Sequence, residues 1–568
     1  MKTAEQLRTS LRAIDHKSYP AYKSLAGAWS FPRYTLSIDH VQGDPFAAPS
    51  QLSVIVEKAT ASFPQNCWEP LWNRTALEDY LLRRFARQAG RFSHQAKGSG
   101  KSGVLAVSVP GQEVLERTGC QVRGGTVTLR FEVGFPANGR TINARELEKI
   151  LFDFIPACVE QSLLYSTTPK EELSQLLALS EDRRFIREEL SRLGLCAFVA
   201  DGSVLPRESG VSDRPMKDAV PFSSPDSMAV TLELPHHGPL RGMGIRQGIT
   251  LIAGGGYHGK STLLKALERG VYDHISGDGR EYVITDSTAV KIRAEDGRKV
   301  TDTDISLFIS HLPSGKDTSR FSTLDASGST SQAANIVEAL EAGSSLLLMD
   351  EDTSATNFMV RDELMQLVIA RNQEPITPFL ERALDIYRQA GVSLILVVGS
   401  CGAYFHIADK VIQMDAYHAK DITAEAKAAL EGRPAPALTA PGFHLPSGRR
   451  AVDLSGSTQT RRSYRGDSVV RERLKIKRFG KTAFSVGSRD LDLRYLEQLV
   501  DGEQTQTLAY MVRYARENLS GLGVKEVVAR LEKLLAEKGL PGLCGSDNVP
   551  AGLALPRVQE IFACFNRY

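Results

Sequence analysis

The stretch GITLIAGGGYHGKSTLLKALERG, residues 248–270, decides how the rest of the chain is read. ITLIA has the length and apolar character of a short buried strand, and the residues from Lys260 onward place their apolar side chains at helical spacing. Between the two, Gly254, Gly259, Lys260 and Ser261 fit G-x-x-x-x-G-K-[ST] in the strand–loop–helix setting that this phosphate-binding motif requires. Glycines let such a loop curl until its N–H groups and the following helix N-terminus point at phosphates. The expected phosphate cradle is therefore Gly254, Gly255, Gly256, Tyr257, His258, Gly259, Lys260, Ser261 and Thr262. Within it Lys260 reaches the β and γ phosphates of ATP, Ser261 holds Mg²⁺, and His258 shapes the loop. A second glycine-rich string, GSGKSG at 98–103, has Gln95 where the first motif glycine belongs and is not read as a nucleotide site.

The acidic partner expected at the end of a neighbouring strand is SLLLMDED, residues 345–352. Asp350 is expected to hold Mg²⁺ through water, and Glu351 to orient or deprotonate the attacking water.

Working outward, ITLIA, SLLLM and VSLILVV alternate with helical segments up to about Leu430, the pattern of a parallel sheet flanked by helices. Upstream, alternation in TVTLRFEVGF (126–135) and helical spacing in RELEKILFDFIPACVEQSLLY (145–165) suggest an α+β domain. The Ser-, Pro- and Asp-rich stretch 207–226 and the Pro-rich stretch from Arg433 to about Gly448 read as linkers. The expected architecture is α/β: an N-terminal α+β domain over 1–206, a P-loop ATPase core over 207–435, and a small basic α+β domain over 445–568. A chain of 568 residues with 42% hydrophobic residues is long enough for several such cores and too apolar for disorder. Seven scattered cysteines without a CxxC pair read as reduced thiols, and no apolar run is long enough to span a bilayer, so a cytoplasmic protein is expected.

DASGSTSQAANIVEALEAG, upstream of the acids, resembles the signature motif of ABC-class ATPases, and Ser327 precedes Asp350 by 23 residues, the separation usual in that class. TSAT (353–356) resembles the D-loop. Longer strings narrow the resemblance: HVQGDPFAAPS (40–50), GSGKSG, GMGIRQGITLIAGGGYHGKSTLL (242–264), GDGRE (277–281), EDGR (295–298), ASGSTSQAANIVEALE (326–341), MDEDTSATNFMVRD (349–362) and EPITPF (374–379). They resemble the predicted ABC-class ATPase family, which is widespread in bacteria and includes a kinetoplastid protein of the mitochondrial RNA-binding complex. The resemblance implies an ATP- and Mg²⁺-dependent homodimer in which Ser327, Gly328 and Ser329 close over the nucleotide of the opposite subunit, with Lys260 and Glu351 carrying catalysis. It also implies a ring-like basic opening for nucleic acid. Two features depart from ordinary transporter subunits. Gly399, Ser400, Cys401 and Gly402 stand where a switch histidine would follow VSLILVV, with Ala403 where the family pattern has an acid, and no glutamine lies between Lys260 and Gln332. Phe222 is a candidate to approach the adenine.

The net charge is only +2, which alone argues against a polyanionic partner. The charges are segregated, however. Residues 81–103 hold Arg83, Arg84, Arg87, Arg91, Lys97 and Lys101 and no acid, and residues 449–481 carry a net +8, including Arg461, Arg462, Arg465, Arg473, Lys475, Lys477 and Arg478. The two stretches together carry +14, so the rest of the chain carries −12. Basic residues interleaved with Phe85, Phe92, Tyr464 and Phe479 suit contact with RNA or DNA backbone and occasional base stacking. The expectation is an ATPase that dimerises around ATP and clamps or remodels nucleic acid, without a membrane partner. The alternative is an ATP-driven protein-interaction switch.

Overall fold

The computed structural model describes residues 2–361, 368–369, 373–435, 440–445, 450–454, 460–462, 469–471, 474–546 and 548–568. Residues 1–181 with 535–555 form one compact unit, and residues 182–534 with 556–568 a second.

The first unit is built on a seven-stranded sheet in the order Lys2–Thr3, Gly27–Ser30, Thr35–His40, Ser50–Val56, Thr126–Val133 and Leu105–Ala106, with Cys120–Arg123 also paired to Thr126–Val133. The alternation read in the sequence is realised in Thr126–Val133, where Val127, Leu129, Phe131 and Val133 are buried on one face. The helical run from 145 becomes Ala144–Lys149, a π turn over Ile150–Phe154, and Ile155–Ser162. Pro156 has no N–H to donate and its ring crowds the carbonyl four residues back, a conflict that the wider turn accommodates. The long helix Leu71–Phe92 packs against Ile155–Ser162. The distant piece 535–555 completes this unit: the Thr118 hydroxyl donates to the Pro550 carbonyl (2.7 Å), and the Leu555 N–H to that of Glu116 (2.9 Å).

Glu78, on the long helix, is 4% exposed and accepts the Val122 N–H at 2.7 Å. Burial outweighs that bond and pushes its carboxyl up to about 8. A carboxyl raised in the folded state is stabilising below its unfolded pKa, and that contribution is lost as pH rises through the folded value. Glu78→Gln, which keeps an acceptor for Val122, is therefore expected to gain on the wild type by about 1 kcal/mol per pH unit between roughly pH 5 and 8. Denaturant unfolding followed by tryptophan fluorescence reads this unit selectively, because all three tryptophans (Trp29, Trp68, Trp72) lie in it. Parallel pH profiles for the two proteins would refute the expectation.

The second unit centres on a six-stranded sheet in the order Val290–Ile292, Leu346–Asp350, Ser393–Val397, Ile249–Ala253, Lys410–Asp415 and His418–Asp421, parallel except for the last pairing. The three runs that read as buried strands occupy its middle, and every residue of Leu346–Asp350 and Ser393–Val397 is buried. A four-stranded antiparallel sheet (Ala229–Leu234, Gly238–Arg246, Leu195–Ala200, Val283–Thr285) and a three-stranded one (Ile476–Phe479, Ala483–Val486, Arg489–Asp492) belong to the same unit. The helix Val558–Arg567 also lies in this unit and delivers Arg567 into a buried charge cluster. There Arg567 bonds Glu295 and Asn335, Arg298 bonds Asn335 and Glu338, and Arg450 bonds Glu338 and Glu341. Three guanidinium groups meet three carboxylates in matched, hydrogen-bonded pairs, the condition under which such charges are tolerated inside a protein.

Candidate functional site

The phosphate loop leaves the strand Ile249–Ala253 and ends at the helix Lys260–Arg269. Gly254 and Gly259 sit at φ +139° and +100°, where a side chain would be strained. Crowding adds to this: a Cβ on Gly254 would lie 2.4 Å from the Met414 carbonyl oxygen, and one on Gly259 2.8 Å from the Tyr417 ring. Both contacts come from the hairpin formed by Lys410–Asp415 and His418–Asp421. His258 fastens the loop to that hairpin, its Nδ1 accepting the Ala416 N–H (2.9 Å) and its carbonyl the Tyr417 N–H (3.0 Å). His258 is thus a shaping residue, and Tyr257 beside it is fully exposed at φ +64°. Gly255 and Gly256 are exposed, and Thr262 continues the helix. Lys260 Nζ donates to the carbonyls of Gly254 and Gly255 at 2.7 Å each, so the ammonium lies within the loop itself.

The acids stand one strand further from this loop than the expected neighbouring strand, because Ser393–Val397 pairs between Leu346–Asp350 and Ile249–Ala253, yet they still reach the loop. Asp350 is the last residue of Leu346–Asp350 and is 6% exposed, and its Oδ2 lies 3.4 Å from Ser261 Oγ. A hydroxyl and a carboxylate converging in this way are the hard oxygen donors that Mg²⁺ takes, its remaining positions filled by water and phosphate. Glu351 follows at the sheet edge. Its Oε2 accepts the N–H groups of Gly399 (2.6 Å) and Ser400 (3.0 Å), and its Oε1 accepts the Ser400 hydroxyl. Partial burial pushes the Glu351 carboxyl up, but these donors outweigh it and hold the group below the usual carboxylate range.

The polar turn and helix read as a signature motif are present as helix Gly328–Glu341, capped by the exposed Ser327, whose Oγ accepts the Thr330 N–H (3.4 Å). Buried Ser329 bonds Asn357 (2.8 Å), and fully buried Gln332 accepts the Ala355 N–H (2.8 Å) and donates to Ser354 (3.1 Å). The TSAT turn is therefore tied to this helix, and Asp350 anchors it from the other side through its carbonyl, which accepts the Ser354 hydroxyl (2.9 Å). The edge strand Val290–Ile292 is followed by Arg293, Ala294 and Glu295. Phe222 is a correction: it is 3% exposed, so its ring is closed off within the fold and presents no face to a base.

In the basic stretches the structure separates side chains tied into the fold from exposed ones. Arg83 bonds Asp79 (2.6 Å) and the Pro110 carbonyl, and Arg84 bonds Thr168 and the Gln161 and Thr167 carbonyls, so both serve the fold of the first unit. Arg87, Arg91, Lys97 and Lys101 are exposed. Phe85 is fully buried, and Phe92 stacks on Phe154. In GSGKSG the N–H groups of Ser99, Lys101 and Gly103 bond the carbonyls of Ala137, Pro45 and Gly134, leaving none of these three for a phosphate. In the second unit Lys475, Lys477, Arg478 and Phe479 are exposed, with Lys477 and Phe479 on one face of the edge strand Ile476–Phe479. Arg461 and Arg462 lie on the short strand Thr460–Arg462, whereas Tyr464, Arg465 and Arg473 lie outside the described residues. Among the described residues no helix is long and apolar enough to cross a membrane.

Comparison with known proteins adds three family matches along the chain. Residues 4–166 match a model described as the N-terminal region of ATPases of the ABC class, residues 169–445 the P-loop domain of the same class, and residues 475–568 the MRB1590 C-terminal domain. Uncharacterized protein MJ1628 of Methanocaldococcus jannaschii is 30% identical over 249 residues, which is 42% of this chain. The chain spans about half the length of that curated relative, 54% of it. Among solved structures, the ADP conformation of MJ1267, an ATP-binding cassette of an ABC transporter, is 13% identical with a TM-score of 0.24, covering 36% of this chain and 94% of that one. The cbiO1 protein of Clostridium perfringens, part of the ABC transporter complex cbiONQ, is 13% identical with a TM-score of 0.23, covering 40% and 87%.

Proposed function

Because this chain belongs to the ABC-class ATPase family, we propose that it is a cytoplasmic enzyme that binds ATP with Mg²⁺, dimerises around the nucleotide, and uses hydrolysis to clamp or remodel RNA or DNA. The observation that carries this reading is the gathering of Lys260, Ser261, Asp350 and Glu351 at the same end of one parallel sheet, where Ser261 and Asp350 lie 3.4 Å apart. Lys260 exchanges its bonds to the loop carbonyls for bonds to the β and γ phosphates. Ser261 and Asp350 are the residues that would hold Mg²⁺, which would neutralise charge developing between those phosphates. Glu351 orients the water that attacks the γ phosphate. The open N-terminus of Gly328–Glu341, with Ser327, Gly328 and Ser329, supplies the surface that closes over a second subunit's nucleotide.

Exposed Arg87, Arg91, Lys97 and Lys101 in one unit, and Lys475, Lys477, Arg478 and Phe479 in the other, supply the phosphate contacts and a stacking ring. A second reading, an ATP-driven protein-interaction switch, is favoured by the internal commitments of Arg83, Arg84 and Arg450, which remove three cations from the free surface. Titration of labelled RNA and DNA, single-stranded and duplex, separates the two. Nucleic-acid binding through about five phosphate contacts is expected to weaken between 50 and 200 mM salt by about 100-fold for single strands and about 500-fold for duplex. It should also be lost when Arg87, Arg91, Lys475 and Lys477 are changed together to Glu. Absence of binding, or binding indifferent to salt and to these reversals, would leave the switch.

A further inference from the structure

The turn that follows the strand Ser393–Val397 does something the sequence alone does not announce. Asp350 and Val397 are paired in register on adjacent parallel strands, so their chains leave the sheet at the same level. Glu351 and the segment Gly399–Cys401 are thereby brought face to face, 49 residues apart in sequence.

We propose that Ser400 is a positioning residue for the attacking water, acting through Glu351. The proposal rests on the ATPase reading above and assigns one side chain within it. A carboxylate offers about four acceptor sites, two on each oxygen. Oε2 has both filled, by the N–H groups of Gly399 and Ser400. Oε1 accepts the Ser400 hydroxyl, and the Cys401 N–H also stabilises the carboxylate. The side-chain bond from this turn falls on Oε1, and it is the one donor there that a substitution can remove without touching the backbone.

Without the hydroxyl the carboxylate is held by backbone donors alone, two of them on Oε2, and a water aligned by a less firmly held acceptor spends less time in line with the γ phosphate. Ser400 is exposed, so its hydroxyl serves Glu351 without holding any core together. Ser400 acts at the place where this chain has no histidine to offer.

The test compares the wild type with Ser400→Ala, Ser400→Thr, Glu351→Gln and the double variant Ser400→Ala/Glu351→Gln, reading kcat for ATP hydrolysis and, separately, equilibrium ATP affinity. Ser400→Ala is expected to lower kcat by about 10- to 100-fold, the range for loss of a hydrogen bond to a charged group, with ATP affinity within about twofold of wild type. Ser400→Thr, which returns the hydroxyl, is expected to recover most of the rate. In the double variant the serine change should add nothing to Glu351→Gln, because its only route to the reaction has been altered. Wild-type kcat in Ser400→Ala, a loss expressed in ATP affinity, or an undiminished serine effect on the Glu351→Gln background would each overturn the proposal while leaving the ATPase reading intact. A wild type that binds ATP but hydrolyses it no faster than Glu351→Gln would overturn the ATPase reading and this inference with it.

Discussion

Glu351→Gln is expected to lower steady-state ATP hydrolysis by about 10²- to 10⁴-fold, the usual contribution of a positioned acid–base group, while leaving ATP binding close to wild type. The amide keeps the shape of the side chain and can accept from the same turn with its oxygen. Its NH₂ group, however, faces either the donors at Gly399 and Ser400 or the water, and neither arrangement reproduces a carboxylate accepting on both oxygens. Because binding survives and hydrolysis fails, the variant should accumulate an ATP-bound dimer, visible as a doubling of mass in size-exclusion chromatography with light scattering when ATP is present. Hydrolysis within about twofold of wild type would remove Glu351 from the role assigned to it.

Lys260→Ala should act one step earlier. Its ammonium lies 2.7 Å from two carbonyls of its own loop, and replacement of those bonds by charge-assisted bonds to phosphate oxygens is the gain that the variant forgoes. ATP affinity is expected to fall by about 100-fold, which corresponds to one or two such bonds. Thermal melts read this directly, since a ligand that binds only the folded state raises its stability by RT ln(1 + [L]/Kd). The wild type should melt higher with ATP, and Lys260→Ala should show the same melting temperature with and without it. Equal ATP-induced shifts in the two proteins would contradict the assignment.

Much of the second unit's core could be read from sequence because its strands are short, buried on both faces and apolar throughout. ITLIA, SLLLM and VSLILVV appear as the middle of one parallel sheet, and the acids at the end of SLLLM fall beside the phosphate loop as the strand–loop–helix pattern implies. What stayed hidden was made by pairings across long separations. The hairpin tip that grips the phosphate loop lies 158 residues from His258, and nothing local in Ala416 or Tyr417 announces that contact. Leu195–Ala200 precedes the polar stretch 207–226 yet pairs with Gly238–Arg246 and Val283–Thr285, because six apolar residues specify burial and not a partner.

The charge count went astray for a simpler reason. The window that made Arg83 look unpaired begins at Leu81, and the carboxylate that claims Arg83 is Asp79, one helical turn back and just outside it. The EDGR string and the helix after Ser327 carried the family resemblance, and their Glu295, Arg298, Asn335 and Glu338 turn out to share one buried ion cluster. Another member of that cluster, Arg567, is 272 residues from Glu295.

That arrangement also sets a timetable. Both compact units are discontinuous, and the missing piece of each lies in the same late segment: 535–555 for the first and 556–568 for the second. Chains are synthesised from the N-terminus, and domains ordinarily fold as they emerge. Here Thr118 waits for Pro550, and Glu295 waits for Arg567, each exposed to solvent or to a chaperone while several hundred residues are still being added. Both units wait for this late segment, so synthesis that stops before residue 535 would leave a chain in which both are open.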